Sequence, residues 1–545
     1  MLFKKLILIS ACVALALQSH AQDSLLLHDY QFVKQADPWL TSHNAAALSR
    51  YATKSYAQAE LSFTGEKGGF TNYDGAPGVL QFNGAIESFY RISKRTVLYG
   101  QMSYDNFSGN DMAGSGFIDT YHLPFDIVED SLTNLGRKHR NTYHLTGSFG
   151  TDVYRGIAIG ARVDYTAADY AKYKDLRHQN KLMDLQVRAG VYFPMGRWGS
   201  IGANYLYRRK TESVSFSTIG TSDKVYKSLI DYANFTGYVE QFGNDGFTDK
   251  SREMPLVNNY HGGSAQLGLR FDAHTQLFAE VNYAHRTGYY GRKSPFTITY
   301  TDHYSDEFSF KTRLSHQMER TMHHIDLAFG TENLVNRAST YHETKNEQGA
   351  TNYEYFTPVK MANKLWMNYS IAYTLETGIR NGKEAHGLLV DGLATWTIQA
   401  GISSMERKQT AYIYPYYRSQ HLQNFELFGR VSYTLVTRHG WWSFALKGSF
   451  GQGEGKPYND FTFTEPSNKQ LPPPSMEAYL YREYQYLTSA QYMVGGQVKY
   501  NFRFPGTAIM THARLSLSHR KANETNSYSD GCDRTSGTIA IGCTF

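Results

Sequence analysis

The chain has 545 residues, with 43 Tyr, 31 Phe and 47 Gly but only 14 Pro, and a formal charge of +6. So mild a charge, with no basic run, excludes a nucleic-acid-binding protein. The lack of an apolar run of about 18 residues beyond the N-terminus excludes membrane-spanning helices.

Helical periodicity is nearly absent, and the mean hydropathy is −0.49. Both suit a transmembrane β-barrel, in which only every second residue must be apolar and aromatics gather at the two interfaces. The N-terminus reads as a secretory signal over 1–21: Lys4-Lys5, an apolar stretch from Leu6 to Leu17, and Ser19-His20-Ala21 as a small-x-small cleavage site. Ile9-Ser10-Ala11-Cys12 offers a lipoprotein alternative, but the apolar stretch before Cys12 is short and continues beyond it. The leader holds two of the positive charges and no acid. Residues 22–55 precede the first strand and are long enough to enter a lumen as a hatch. They are too short for the globular plug of a TonB-dependent receptor.

Strands follow from about 56–63 to 536–545, and 56–545 is assigned to the barrel. Leu185, Val187, Ala189 and Val191 alternate with Gln186, Arg188 and Gly190, and Ala265, Leu267, Leu269 and Phe271 with Gln266, Gly268 and Arg270. Val498, Tyr500, Phe502 and Phe504 alternate with Gln497, Lys499, Asn501 and Arg503. Period two gives each strand one apolar face. Short turns are expected near Ser93-Lys94-Arg95, Thr151 to Tyr154, Met195-Gly196-Arg197, Asp272-Ala273-His274, Met318-Glu319-Arg320, Thr437 to Gly440 and Pro505-Gly506. Long polar loops are expected at 107–141, 168–181, 209–261, 287–306, 331–362, 451–488 and 520–536. Tight turns alternating with long loops are the pattern of an outer-membrane barrel, short inside and long outside. Direction then gives eighteen strands, provided Tyr412 to Arg418, interrupted by Pro415, belongs to an outer loop; sixteen is the alternative.

With the apolar face in lipid, Arg162, Arg188, Arg270, Arg313, Arg430, Lys499, Arg503 and Arg514 become lumen-lining candidates, with Arg91, Arg208, Lys311 and Lys447. The acidic set is smaller: Glu87, Asp105, Asp164, Glu280, Asp326, Glu376, Asp391 and Glu426. A basic wall attracts anions, unless the charges pair across the lumen and close it. His323-His324 would point to opposite faces of a strand, as would His261 and Ser264, so neither makes a metal site or a nucleophile–base pair. No catalytic, metal or cofactor residue is assigned, and no enzyme is expected. At about 3.3 Å per residue Cys532 and Cys543 lie ~30 Å apart, too far for a disulfide. Tyr479 to Tyr486, Tyr412 to Tyr417 and Trp441-Trp442 are read as loop rim or interfacial belt, and Leu471-Pro472-Pro473-Pro474 as a stiff strut. Ile539, Ile541, Cys543 and Phe545 share the lipid face of the last strand, and Phe545 serves as the assembly signal.

Asp37-Pro38-Trp39-Leu40, followed by Asn44-Ala45-Ala46-Ala47-Leu48, resembles the N-terminal segment of an uncharacterised outer-membrane barrel family of Bacteroidetes. It is also similar to the Asn-Pro-Ala-x-Leu start of FadL-like transport barrels, from which the chain departs at Ala45 and in its larger strand number. The resemblance implies a place in the outer membrane of a Gram-negative bacterium and gives a hint of transport. The expected function is a channel or transporter for small solutes. The alternative is a closed barrel that serves a surface lipoprotein or receptor. Outer-membrane lipid and the barrel-assembly machinery are the expected partners.

Overall fold

The structure, a computed structural model, describes residues 26–28, 34 and 37–545, except 52–54, 130–133, 220–224, 243–253, 295–296, 346, 350, 381–382, 386–387, 504–508 and 524–527. The leader with Cys12 and the Pro505-Gly506 turn lie outside the described residues.

Among those described, eighteen antiparallel strands close into one barrel. They are β1 (Tyr56–Lys67), β2 (Gly78–Arg91), β3 (Thr96–Met112), β4 (Gly136–Tyr154), β5 (Ile157–Lys172), β6 (Arg177–Pro194), β7 (Gly199–Ser217), β8 (Met254–Arg270), β9 (Thr275–Ser294), β10 (Thr297–Met318), β11 (Thr321–Ala338), β12 (Val359–Thr377), β13 (Trp396–Ile413), β14 (Tyr416–Thr437), β15 (Gly440–Gly455), β16 (Gln491–Arg503), β17 (Met510–Ala522) and β18 (Asp533–Thr544). Asn459–Thr462 prolongs the place of β15 beside β14.

The side-chain period places the membrane. Val494, Val498, Leu515, Leu517, Ile539 and Ile541 stand exposed on the outside, while Asn501, His512 and Ala540 on the same strands are buried inside. Similar exposed apolar side chains recur around the wall, at Leu61, Leu98, Leu145, Val187, Ile325, Ile371 and Ile402. This belt is what makes the barrel transmembrane. Of the paired tryptophans only Trp442 belongs to it, stacked on Tyr500 with centroids 4.3 Å apart. Trp441 points inward and is buried with Leu393, Val436 and Met510, because neighbours on a strand face opposite ways.

The seam joins β18 to β1, and the terminal residue takes part: the Ala57 amide donates to the Phe545 carbonyl (2.8 Å) and the Phe545 amide donates back (2.9 Å). Deleting Phe545 therefore removes a rung of the seam as well as a terminal aromatic, whereas Thr544→Ser removes neither. Heat-modifiable mobility of outer-membrane extracts should show the deletion impaired and Thr544→Ser normal. Equal assembly would mean that Phe545 carries no signal.

Several predicted loops prove to be wall. The 168–181 stretch shortens to residues 173–176 and 287–306 to the two residues between Ser294 and Thr297. The expected outer loop at Tyr412 to Arg418 is a hairpin whose strands part only at Tyr414 and Pro415. Thr151 to Tyr154 remain in β4, and the turn falls on Arg155 and Gly156, both with positive φ (48° and 84°). A longer connection at the other end, 378–395, was not anticipated. It holds short strands at Lys383–Ala385 and Leu388–Asp391, the latter paired in parallel with Leu26–His28. Asp391 thus belongs to this connection and not to a strand of the wall. Cys532 and Cys543 are both free thiols.

Candidate functional site

The lumen has a floor made by the N-terminal segment. Residues 37–51 form two short 3-10 turns, Pro38–Thr41 and Ala45–Arg50, started by Asp37 and Asn44, whose side chains accept from the amides two residues on. This is the ordinary use of Asp and Asn at a helical N-terminus. Arg50 ties the two turns together by donating to Asp37 (2.7 Å), and it also donates to the Tyr192 hydroxyl of β6 (2.7 Å). Trp39 is buried edge-on between Tyr192 and Phe278, at 4.9 and 5.3 Å. The Asn44 amide donates to the Val191 carbonyl (2.7 Å) and to Gln266 (3.1 Å).

The wall is cut to receive this segment. Gly150, Gly160, Gly190, Gly202 and Gly268, on five successive strands from β4 to β8, face inward beneath it. A Cβ on any of them would come closer than 3.0 Å to Ala45, Ala46, Asn44 or Trp39. Glycine is required here for close backbone approach.

The roof is built from loops folded inward. Asp126–Glu129, Tyr226–Ala233 and Thr236–Phe242 form a three-stranded sheet with Tyr226–Ala233 in the middle. Ile127, Ile230 and Phe242 pack with Phe117, Phe125, Phe216 and Tyr290 into one apolar cluster. Helix α1 (Glu477–Thr488) lies on the other side, with Tyr479 and Leu480 against Val128, Leu229 and Phe235. Tyr479 to Tyr486 are therefore helical rather than rim or belt, and Tyr479 is buried. Pro474, in the predicted strut, accepts from the Gly237 amide (3.3 Å) and the Thr236 hydroxyl (3.1 Å).

Buried charges fix the roof to the wall. Glu129 pairs with Lys138 (2.9 Å) and Lys172, and Lys138 also donates to the Ala113 and Ser115 carbonyls (3.1 and 3.0 Å). Arg407 holds both oxygens of Glu483 (3.0 and 2.6 Å). Burial pushes the Asp126 carboxyl above its usual range, against the opposing pull of donors from Ser115, Tyr73 and the Ile127 amide. One strand of loop, 119–123, reaches across to the far wall. His122, at φ 52°, stacks between Tyr121 and Trp366 (3.6 and 4.1 Å) and meets Glu332 at 2.5 Å. Arg286 donates to the His122 carbonyl (3.0 Å), and Lys364 to that of Leu123 (3.0 Å).

Between floor and roof lies a chamber of about 320 Å3, bounded by His43 below, Tyr121 and His122 above, and Arg188, Arg208, Arg286, Asn282, Glu307 and Glu332 on the sides. A second recess of about 450 Å3 opens beside β11 to β17 and is lined by Asn368, Ser403 and Arg520.

The eight basic residues singled out from the sequence all lie on barrel strands, but they differ in surroundings. Arg162 donates twice to Asp164 (2.7 Å each), Arg313 to Asp326 (2.6 Å) and Arg514 to Glu60 (2.6 Å). Arg430 pairs across strands with Lys447, and both are exposed. Arg270 is exposed at the edge of the floor; Lys499 and Arg503 are half-buried on β16. Arg188 reaches the chamber. His323 bonds outward to Tyr373 (2.7 Å) and His324 inward to Ser315 (2.9 Å). His261 bonds outward to Tyr205 (2.8 Å), while Ser264 lies buried inside. The reading by sequence missed the floor's glycines, His122, Glu307 and the roof. Only the glycines left a trace, as inward positions without a side chain on neighbouring strands.

A family model described as a family of unknown function (DUF6850) matches residues 45–545. No curated protein matches. Among solved structures, the outer membrane transporter YddB from Escherichia coli is 7% identical, with TM-score 0.39 over 91% of this chain and 81% of that one. The Ralstonia pickettii toluene transporter TbuX is 11% identical, with TM-score 0.31 over 92% of each chain. A Pseudomonas aeruginosa FadL homologue is 10% identical, with TM-score 0.28 over 93% of this chain and 94% of that one. At such scores no property of these proteins transfers to this chain.

Proposed function

The chain belongs to that family of unknown function, and from this premise we propose that the protein is an outer-membrane channel for small polar solutes, constricted by its own N-terminal segment and inward-folded loops. The supporting observation is the exposure of Arg430 and Lys447 on the inner face of a wall whose outer face is apolar. Two adjacent cations with exposed heads on that face imply water in the lumen, since dry burial of like charges is prohibitive. Arg188 on β6 and Arg270 on β8 add positive charge on the far side of the lumen, a bias toward anions.

Planar-bilayer recording tests the reading. The full chain should conduct weakly with anion preference, and a chain lacking residues 37–51 should conduct several times more. Silence from both retires the channel.

A second reading draws on the outer surface. Tyr412, Tyr414 and Tyr417 of the β13–β14 hairpin pack against Phe461 and Phe463 of the adjoining 459–463 segment, with Tyr414, Phe461 and Phe463 exposed. Exposed aromatic clusters mark docking surfaces, and a surface lipoprotein or receptor is the partner this one would suit. Co-purification from native membranes in mild detergent tests it; a barrel that migrates alone counts against it.

A further inference from the structure

The charges around the chamber nearly cancel in pairs. Arg208 donates to both oxygens of Asp184 (2.9 and 2.6 Å), Lys210 binds Asp119, and Arg286 meets Glu332 (3.3 Å). Glu212 accepts from the Ile118 amide (2.6 Å) and Asn180 (2.7 Å). One cation without a carboxylate and one carboxylate without any donor are left over. Arg188 makes a single long contact, to Asn204 at 3.5 Å, and Glu307 has no hydrogen bond or ion pair among the described residues. Beside Glu307, Asn282 donates to Ser309 and keeps a buried Oδ1 with no donor.

The leftovers are placed opposite one another. Arg188, Leu206, Gly262, Ala284 and Glu307 are successive partners in one register row across β6 to β10. Four strand spacings put the two backbones roughly 19 Å apart along the wall. Side chains converge on a concave wall, and each polar contact takes about 3 Å, which leaves on the order of 7–10 Å for a ligand. A free amino acid, with both charges on one Cα, is too short. A di- or tripeptide, at about 3.5 Å per residue, spans the gap. Leu206 and Ala284 lie between the two charges and offer apolar surface to small side chains.

We propose that the chamber binds short zwitterionic peptides, with Arg188 receiving the terminal carboxylate and Glu307, aided by the Asn282 carbonyl oxygen, receiving the terminal ammonium. The proposal rests on the channel reading and names what the channel selects. A peptide supplies both missing counter-charges, whereas a simple anion leaves Glu307 unpaired and a simple cation leaves Arg188 unpaired.

Calorimetry on the full-length protein in detergent tests the site, with trialanine, N-acetyl-trialanine and trialanine amide as probes. Trialanine should bind, and blocking either end should weaken binding by at least about tenfold, the cost of stranding a buried charge. In Arg188→Met the amide should lose its penalty, and in Glu307→Gln the acetyl group should lose its penalty. Equal binding of the three peptides to the unaltered protein, or none of trialanine, overturns the proposal. Bilayer current is recorded separately. A conducting barrel without peptide binding retires the peptide site and leaves the channel. Peptide binding in a barrel that never conducts supports the site and retires the channel.

Discussion

Gly150→Val should open the barrel. Gly150 faces the floor, and a Cβ there would lie 2.6 Å from the Ala45 carbonyl oxygen, 2.9 Å from Leu48 and 3.0 Å from the Ser49 amide. All three atoms belong to the N-terminal segment, and two are backbone, so the segment must move as a body. The wall is not strained by the change, since valine suits a strand. Leaving the seat exposes Trp39 and Leu48, at about 1.5–3 kcal/mol each, and breaks the Asn44 bonds to the wall. The variant should conduct like the chain without residues 37–51. Gly147→Val is the control: it lies on the same strand with nothing within 4 Å of its Cβ, and its conductance should be unchanged. Wild-type conductance from Gly150→Val would mean that the glycine belt is not the seat.

Glu483→Ala should loosen the roof while sparing the barrel. The Arg407 guanidinium is buried and gives both of its ends to Glu483, with Gln420 as a further acceptor (2.7 Å). Removing the carboxylate strands that charge, which costs about 3–5 kcal/mol. Because α1 can swing away from the wall, the cost falls on its docking. At about 1.4 kcal/mol per tenfold, the undocked population rises by roughly two to three and a half orders of magnitude. Hydrogen exchange over 477–488 should accelerate accordingly, with exchange in β16 to β18 unaffected. Adding Arg407→Ala should restore part of the protection, because neither charge is then left alone. Unchanged exchange in Glu483→Ala would show that the pair does not hold the helix.

The wall was legible because lipid imposes a strict period, and eighteen strands follow from that period and from chain direction. The strand ends were not legible. Above the membrane the outer face turns polar while pairing continues, as at Glu406 and Lys408 on β13 or His285 and Asp306, bonded at 2.9 Å between β9 and β10. Hydropathy reports where the lipid is, not where the sheet stops, so these stretches look like loops. The same period is the ground for expecting the eight basic residues to face inward. Their pairing has no such trace, because partners such as Arg514 and Glu60 lie at opposite ends of the chain. The floor was hidden for a related reason. Five glycines between 150 and 268 look scattered, and only the register of five strands brings them into one line. The helix was masked by its tyrosines, which elsewhere in this chain mark the interface.

The strands differ in length around the circumference. At the seam β1 and β18 have 12 residues and β16 and β17 have 13, whereas β9 has 20 and β10 and β14 have 22. About 9–11 residues cross a bilayer, so one side barely clears the membrane while the other stands higher by roughly 20–25 Å, at about 3.3 Å per residue and a strand tilt of about 35–45°. The mouth is therefore bevelled, like a cut reed, and its low lip is the seam where the chain begins and ends its wall. A bevelled mouth has a front and a back. At the low front the rim is loop rather than sheet: Arg482 of α1 donates to the Thr71 hydroxyl and pairs with Asp530 (2.9 Å), so the connections after β1, β15 and β17 lock together above the seam.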